Sequence, residues 1–113
     1  MIIELGGNDG LRGLSIKQMR SNLKKMIELS QKNNSRIILA GMKIPPNYGK
    51  RYTDAFYKVY LDLSKDYKVD LIPFLLDGIG DKPEMMQADG IHPTGEAQPF
   101  IMEQVWDKLE NIL

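Results

Sequence analysis

The sequence predicts an α/β sandwich, a parallel sheet covered by helices, in the order β-α-β-α-β-loop-α. Three observations predict it. Short apolar runs ("MIIEL", "RIILAG", "VDLIPF") alternate with longer segments whose apolar residues recur at helical spacing. "RIILAG" is apolar on both of its faces, as a strand covered from either side must be. Strands separated by helices specify parallel pairing through right-handed crossovers.

Each element has a local reason. "MIIEL" is a strand stopped by the glycine-rich "GGNDG", which reads as a loop. Ser15 with Gln18 three residues on has the capping-box spacing, so a helix starts there. Ile16, Met19, Leu23 and Met26-Ile27 fall on its inner face, and Asn33-Asn34-Ser35 stops it. After the second strand, "MKIPPNYGK" has two adjacent prolines and a glycine, which forbid regular structure. From about Arg51 a second helix carries Phe56, Val59-Tyr60, Leu63 and Tyr67 on its inner stripe. "VDLIPF" is a third buried strand, and residues 75–93 read as a long loop with one helical turn around Glu84–Met86. A last helix runs from about Ala97 to Asn111 and carries Phe100, Ile101, Val105, Leu109 and Ile112; Pro99 holds its start nearby.

Composition narrows the function. At 113 residues the chain is one domain at most, large enough to bury about 65% of its unfolded surface. Fifteen basic residues balance fifteen acidic ones, so no net field draws the protein to nucleic acid or anionic lipid. The short pairs Lys24-Lys25 and Lys50-Arg51 read as solvated helix faces. There is no cysteine and one histidine, which excludes thiolate catalysis, disulfides and sulfur- or histidine-rich metal centres. The composition leaves carboxylate-only Ca²⁺ or Mg²⁺ binding open, but no EF-hand loop appears and no cofactor is expected. The apolar runs are too short to span a membrane.

In sheets of this kind, chemistry sits beyond the carboxyl ends of the strands. Three unusual segments occupy that rim: "GGNDGLRG", "GMKIPPNYG" and the long loop reaching "DGIHP". Asp89 precedes His92 by three residues, with glycine between and Pro93 after. One tight turn then lets the carboxylate hold the imidazole in one tautomer, leaving the other ring nitrogen as a general base. Pro93 restrains the backbone of His92. The same pattern also reads as a surface histidine beside a helix cap. Asn8, an amide donor among glycines at a strand end, suits an oxyanion hole, although a turn asparagine beside glycine is equally ordinary. Asp9 is compatible with a simple turn residue.

Taken together, "ELGGNDGLRG" and "DGIHP" resemble the SGNH (GDSL-type) hydrolases, and more narrowly their bacterial multifunctional thioesterase, arylesterase and lysophospholipase branch. "IPPNYGKRY" and "AQPF" are similar to that branch as well. The resemblance implies a three-layer, flavodoxin-like parallel sheet and a Ser-Asp-His triad without cofactor. Asp89 and His92 would be its acid–base half, and Asn8 its oxyanion donor. Gly7, Asp9, Leu11, Ile44 and Pro45 would border the substrate. The substrate would be a small acyl ester or thioester: a fatty acyl thioester, a lysophospholipid or an aryl ester. Ile44, Leu75, Leu76 and Ile79 suit an acyl chain and suit a core equally. The family's compartment is periplasmic or secreted.

The match has a gap. Members of the family open with a strand ending in a Gly-Asp-Ser-Leu-like turn, which supplies the nucleophile. Here Ser15 reads as a cap, Ser21 and Ser30 as helix positions, Ser35 as loop and Ser64 as helix surface, so no nucleophile is expected in this chain. The 113 residues read as a single partial domain, the C-terminal portion with about three strands. Two β-α units, on the order of 60 residues, would be missing before it. The alternative is a catalytically inactive remnant that at most binds acyl groups. In either case the first strand would present an open edge that invites self-association.

Overall fold

A computed structural model of the chain describes every residue except 14, 45–47, 90 and 91, and omits the side chains of residues 8 and 11. It divides into two compact units, Met1–Pro73 and Phe74–Leu113.

The first unit is an α/β layer. Its strands are β1 (Ile2–Ile3), β2 (Ile38–Ala40) and β3 (Asp70–Ile72), all parallel in the order β1-β2-β3. Register pairs Ile3 with Leu39 and Leu39 with Leu71. Helix α2 (Ile16–Lys32) connects the first two strands and α3 (Lys50–Tyr67) the second two. Successive neighbours joined by right-handed crossovers put both helices on one face of the sheet. There Met19, Leu23 and Ile27 of α2 meet Phe56, Val59, Tyr60 and Leu63 of α3 over Ile3, Ile37 and Leu39. The Phe56 and Tyr60 rings meet edge-on at 5.6 Å, and an Arg20–Asp62 ion pair of 3.1 Å ties the two helices at their rim. Ile38 and Ala40 point the other way and are also buried, so the central strand is dry on both faces, as its unbroken apolar run requires.

Local signals account for the helix ends. The Ser15 hydroxyl accepts the Gln18 N–H at 3.2 Å, the first half of a capping box. Lys68 closes α3 in the left-handed conformation, φ 54°. Met26, expected on the inner face of α2, lies at the exposed margin, and the small Ser30 is buried instead. The "GGNDG" segment is a correction: it is a single helical turn, α1 (Gly7–Leu11), rather than an open loop. Gly6 at φ +108° turns the chain out of β1, and its carbonyl accepts the Gly10 N–H at 3.0 Å. Glycine tolerates that entry angle where other residues do not.

The second unit opens with turns and a 3-10 turn at Pro83–Met85, where one helical turn is expected from the sequence. A second 3-10 turn, Gly95–Ala97, leads into α4 (Gln98–Leu109), with Pro99 in its first turn. Leu75, Ile79, Met86 and Ala97 are buried. No residue of α4 is buried, and Phe100 and Trp106 stand about half exposed although the helical spacing marks an apolar face.

Candidate active site

The Asp89–His92 turn lies in the second unit. Asp89 Oδ2 stands 2.6 Å from His92 Nδ1, and Asp89 Oδ1 accepts the His92 backbone N–H at 3.1 Å. One carboxylate thus grips both the ring and the backbone of the same residue. An anionic acceptor at Nδ1 selects the Nδ1-protonated tautomer and leaves the lone pair on Nε2. The three-residue spacing, with a stiff proline next, is what permits both contacts at once. The pair is open to solvent, His92 being 61% and Asp89 43% exposed.

A hairpin-like clamp carries this turn. Met86 and Pro93 form an antiparallel bridge. The Gln87 backbone N–H donates to the His92 carbonyl at 2.7 Å, and its side-chain amide donates to the Pro93 carbonyl at 3.1 Å. The Thr94 N–H and hydroxyl both donate to the Met85 carbonyl, at 2.8 and 3.2 Å. Sequence reasoning missed Gln87 and Thr94. Polar residues close on either side of the Asp-Gly pair were the available signal.

The glycine turn lies in the first unit, where packing accounts for its glycines. A Cβ on Gly7 would stand 2.8 Å from Met42 Cε, and one on Gly10 would stand 2.5 Å from the Phe56 ring. The Tyr60 hydroxyl donates to the Leu5 carbonyl at 2.8 Å, and the Tyr52 hydroxyl to the Gly10 carbonyl at 3.4 Å. Burial, with the negative charge of Asp9 second, pushes the phenols of both Tyr60 and Tyr52 up from their ordinary value. The sequence marks Tyr60 only as core; its second role, holding the turn, needed the fold.

The remaining site candidates fall as follows. The side chains of Asn8 and Leu11, and all of Pro45, lie outside the described residues. Asn8 is on the first-unit turn and the Asp–His pair on the second unit. Ile44 is buried in the core cluster with Phe56 and Leu63; Leu75 and Ile79 are buried as well. Lys43 sits over the Tyr57 ring at 4.8 Å. The serines have local employment: Ser15 caps α2, Ser30 donates to Met1 Sδ at 3.1 Å, and Ser64 donates to the Leu61 carbonyl at 3.0 Å. Among the described residues, no cluster of three acidic or histidine side chains is placed to hold a metal. No helix among them is long and apolar enough to cross a membrane.

In the second unit, an imidazole braced at Nδ1 by a carboxylate is an arrangement that leaves a basic nitrogen free for proton transfer. The chain belongs to the GDSL-like lipase/acylhydrolase family, whose model matches residues 1–98. It is 48% identical over 109 residues to an arylesterase of Vibrio mimicus, covering 96% of this chain and 54% of the relative. It is 39% identical over 113 residues to the thioesterase 1/protease 1/lysophospholipase L1 of Escherichia coli (strain K12), covering all of this chain and 54% of the relative. The crystal structure of TesA superposes with a TM-score of 0.94 at 46% identity, over 99% of this chain and 62% of that one. The SGNH resemblance and the α/β class are thus borne out. The chain spans about half the length of the curated relatives it matches.

Proposed function

We propose that these residues are the acid–base and oxyanion part of a serine hydrolase of carboxylic esters and thioesters. The observation that carries the reading is the 2.6 Å contact between Asp89 Oδ2 and His92 Nδ1. It leaves Nε2 as the basic atom, which is what a serine nucleophile requires. The serine hydroxyl attacks the acyl carbonyl while its proton passes to His92 Nε2. Asn8 donates to the oxyanion that forms, with the Gly7–Asp9–Leu11 turn and the Ile44–Pro45 segment flanking the acyl group. As the tetrahedral species collapses, His92 returns the proton to the departing alcohol or thiol. Water, deprotonated by the same imidazole, then cleaves the acyl-enzyme. No step needs a metal or other cofactor. Aryl esters, thioesters and lysophospholipids are the substrate classes that the relatives' names support.

The nucleophile, in this reading, comes from chain beyond these 113 residues. The local roles of Ser15, Ser30 and Ser64 favour that assignment. The residues alone then form an inactive partial site. A family match that runs through residue 98, across both units, supports one catalytic domain rather than two. By the same resemblance the compartment is periplasmic or secreted.

Two measurements test the reading. The 113 residues exposed to a fluorophosphonate should keep their intact mass; an adduct lost on His92→Ala would make one of these serines the nucleophile. The product of the complete reading frame should hydrolyse aryl esters and acyl thioesters and lose on the order of 10⁴-fold in kcat on His92→Ala. Full activity in that variant would sink the assignment.

A further inference from the structure

The Asp–His pair stands on an exposed turn. An exposed imidazole has rotamer freedom to lose, and it meets the Asp89 carboxylate only when it leaves the backbone in the right direction. Something must fix the backbone on which the ring is mounted. Among the described residues around the turn, Gln87 is in a position to do so.

Gln87 makes two bonds to the far arm of the turn. Its backbone N–H takes the carbonyl of His92 at 2.7 Å, and its side-chain amide takes the carbonyl of the next residue, Pro93, at 3.1 Å. The two acceptors bracket the peptide unit that follows His92. Together they fix the orientation of that unit, and with it the direction in which the His92 side chain leaves the backbone. The His92 N–H, on the other side of the same Cα, is taken by Asp89 Oδ1 at 3.1 Å. Both peptide units flanking the histidine are therefore held, one by the catalytic carboxylate and one by Gln87. Thr94 closes the hairpin one step further out, on Met85.

We propose that Gln87 is a positioning residue for the acid–base pair, acting through the His92 and Pro93 carbonyls to keep the ring in its Asp89-bound, Nδ1-protonated form. The proposal rests on the assignment of Asp89 and His92 as that pair. Gln87 touches neither substrate nor the reacting atoms. Its contribution is to remove ring orientations in which Nδ1 leaves Asp89 and the Nε2-protonated tautomer takes over.

The test uses the chain as it stands, because its one histidine makes the imidazole signals unambiguous. Long-range proton–nitrogen correlation on uniformly labelled protein, at a pH where the ring is neutral, reads the ratio of the two tautomers from the Nδ1 and Nε2 shifts. The wild-type ring should be mostly Nδ1-protonated, and Asp89→Asn should abolish that preference. Gln87→Met keeps side-chain length but cannot donate. It should lower the ratio about fivefold, the effect of one lost hydrogen bond, with the unfolding midpoint nearly unchanged. Gln87→Asn, which keeps an amide but withdraws it from Pro93, should behave like Gln87→Met.

A wild-type ratio retained in both variants overturns the role of Gln87 and leaves the pair intact. A wild-type ring with the tautomer mixture of free imidazole condemns the pair itself, and the proposed function with it. A fall in the ratio matched by wholesale loss of folding in both variants would make Gln87 a fold residue and overturn the proposal. A fall confined to the histidine signals supports it.

Discussion

The Tyr60 hydroxyl donates to the Leu5 carbonyl at 2.8 Å, joining the middle of α3 to the end of the first strand across 55 residues of sequence. Tyr60 is fully buried, so this bond is its outlet for polarity, and it fixes the point from which the glycine turn departs. Burial first, then the charges of Asp9 and Glu4, raise its phenol well above the ordinary tyrosine value. The folded protein therefore keeps this proton at a pH where the unfolded chain has released it. Stability on this account is level below about pH 10 and falls above it, by up to about 1.4 kcal/mol per pH unit for the single group. Tyr60→Phe should lose less stability on moving from neutral to strongly alkaline pH than wild type does. Urea midpoints across that range give the comparison, and parallel curves would refute it.

The glycines of the turn should differ in their tolerance of a methyl group. At Gly10 the obstacle is the Phe56 ring, with three of its atoms at 2.5–2.9 Å and itself packed in the core. At Gly7 it is the mobile end of Met42. Gly10→Ala is expected to destabilise by about 1–3 kcal/mol, as overpacking does, and Gly7→Ala by clearly less. Equal losses in denaturant titrations would contradict this reading of the contacts.

Lys68 occupies a left-handed position at the end of α3, φ 54° and ψ 45°. A side chain there crowds the backbone and glycine does not. Lys68→Gly should therefore stabilise the protein, by about 0.5–1 kcal/mol. A lower melting temperature for the variant would show that the lysine makes a compensating contact.

The Asp89–His92 pair should matter for chemistry and hardly at all for folding. Both partners are exposed, and exposed ion pairs contribute little to stability. Asp89→Asn and His92→Ala should melt with wild-type midpoints in the 113-residue protein. A large drop in either would mean that the pair serves the fold.

The outer edge of β1 should mediate self-association. Among the described residues β1 pairs only with β2. Ile2, Leu5, Met26 and Leu29 beside it are exposed and line a groove of about 450 Å³ together with Met1. Two copies related by a two-fold axis can pair these edges and cover the apolar rim. Light scattering on the size-exclusion peak should give a mass that rises with concentration, and Leu29→Glu should return it to 12.9 kDa. A wild-type mass of one chain at every concentration would end the idea.

Much of the fold is legible from the sequence because it depends on local rules. The spacing of Met19, Leu23 and Ile27, the Ser15 cap, and the continuous apolar run ending at Ala40 each follow from periodicities of one or two turns. The Asp89–His92 contact is legible for the same reason: its partners are three residues apart in the sequence. The helical state of Gly7–Leu11 was not legible. Five residues with two glycines and an Asn-Asp pair have little helical propensity of their own, and Phe56 and Tyr52 of α3 pack on the segment while Tyr60 holds Leu5 just before it. The exposure of α4 was equally hidden, because an apolar stripe states that a face wants a partner and says nothing of whether one is present.

The sequence by itself thus determined the element order, the parallel class, the core stripes of α2 and α3, and the pairing of Asp89 with His92. Only the tertiary structure decided how the glycine turn is held and how Gln87 brackets His92. It also decided that the Ile44 side chain packs in the core cluster. The physical reason is range. Spacing within one helix or turn is encoded over a few residues, whereas a buried hydroxyl such as that of Tyr60 finds its acceptor only when distant segments have already packed.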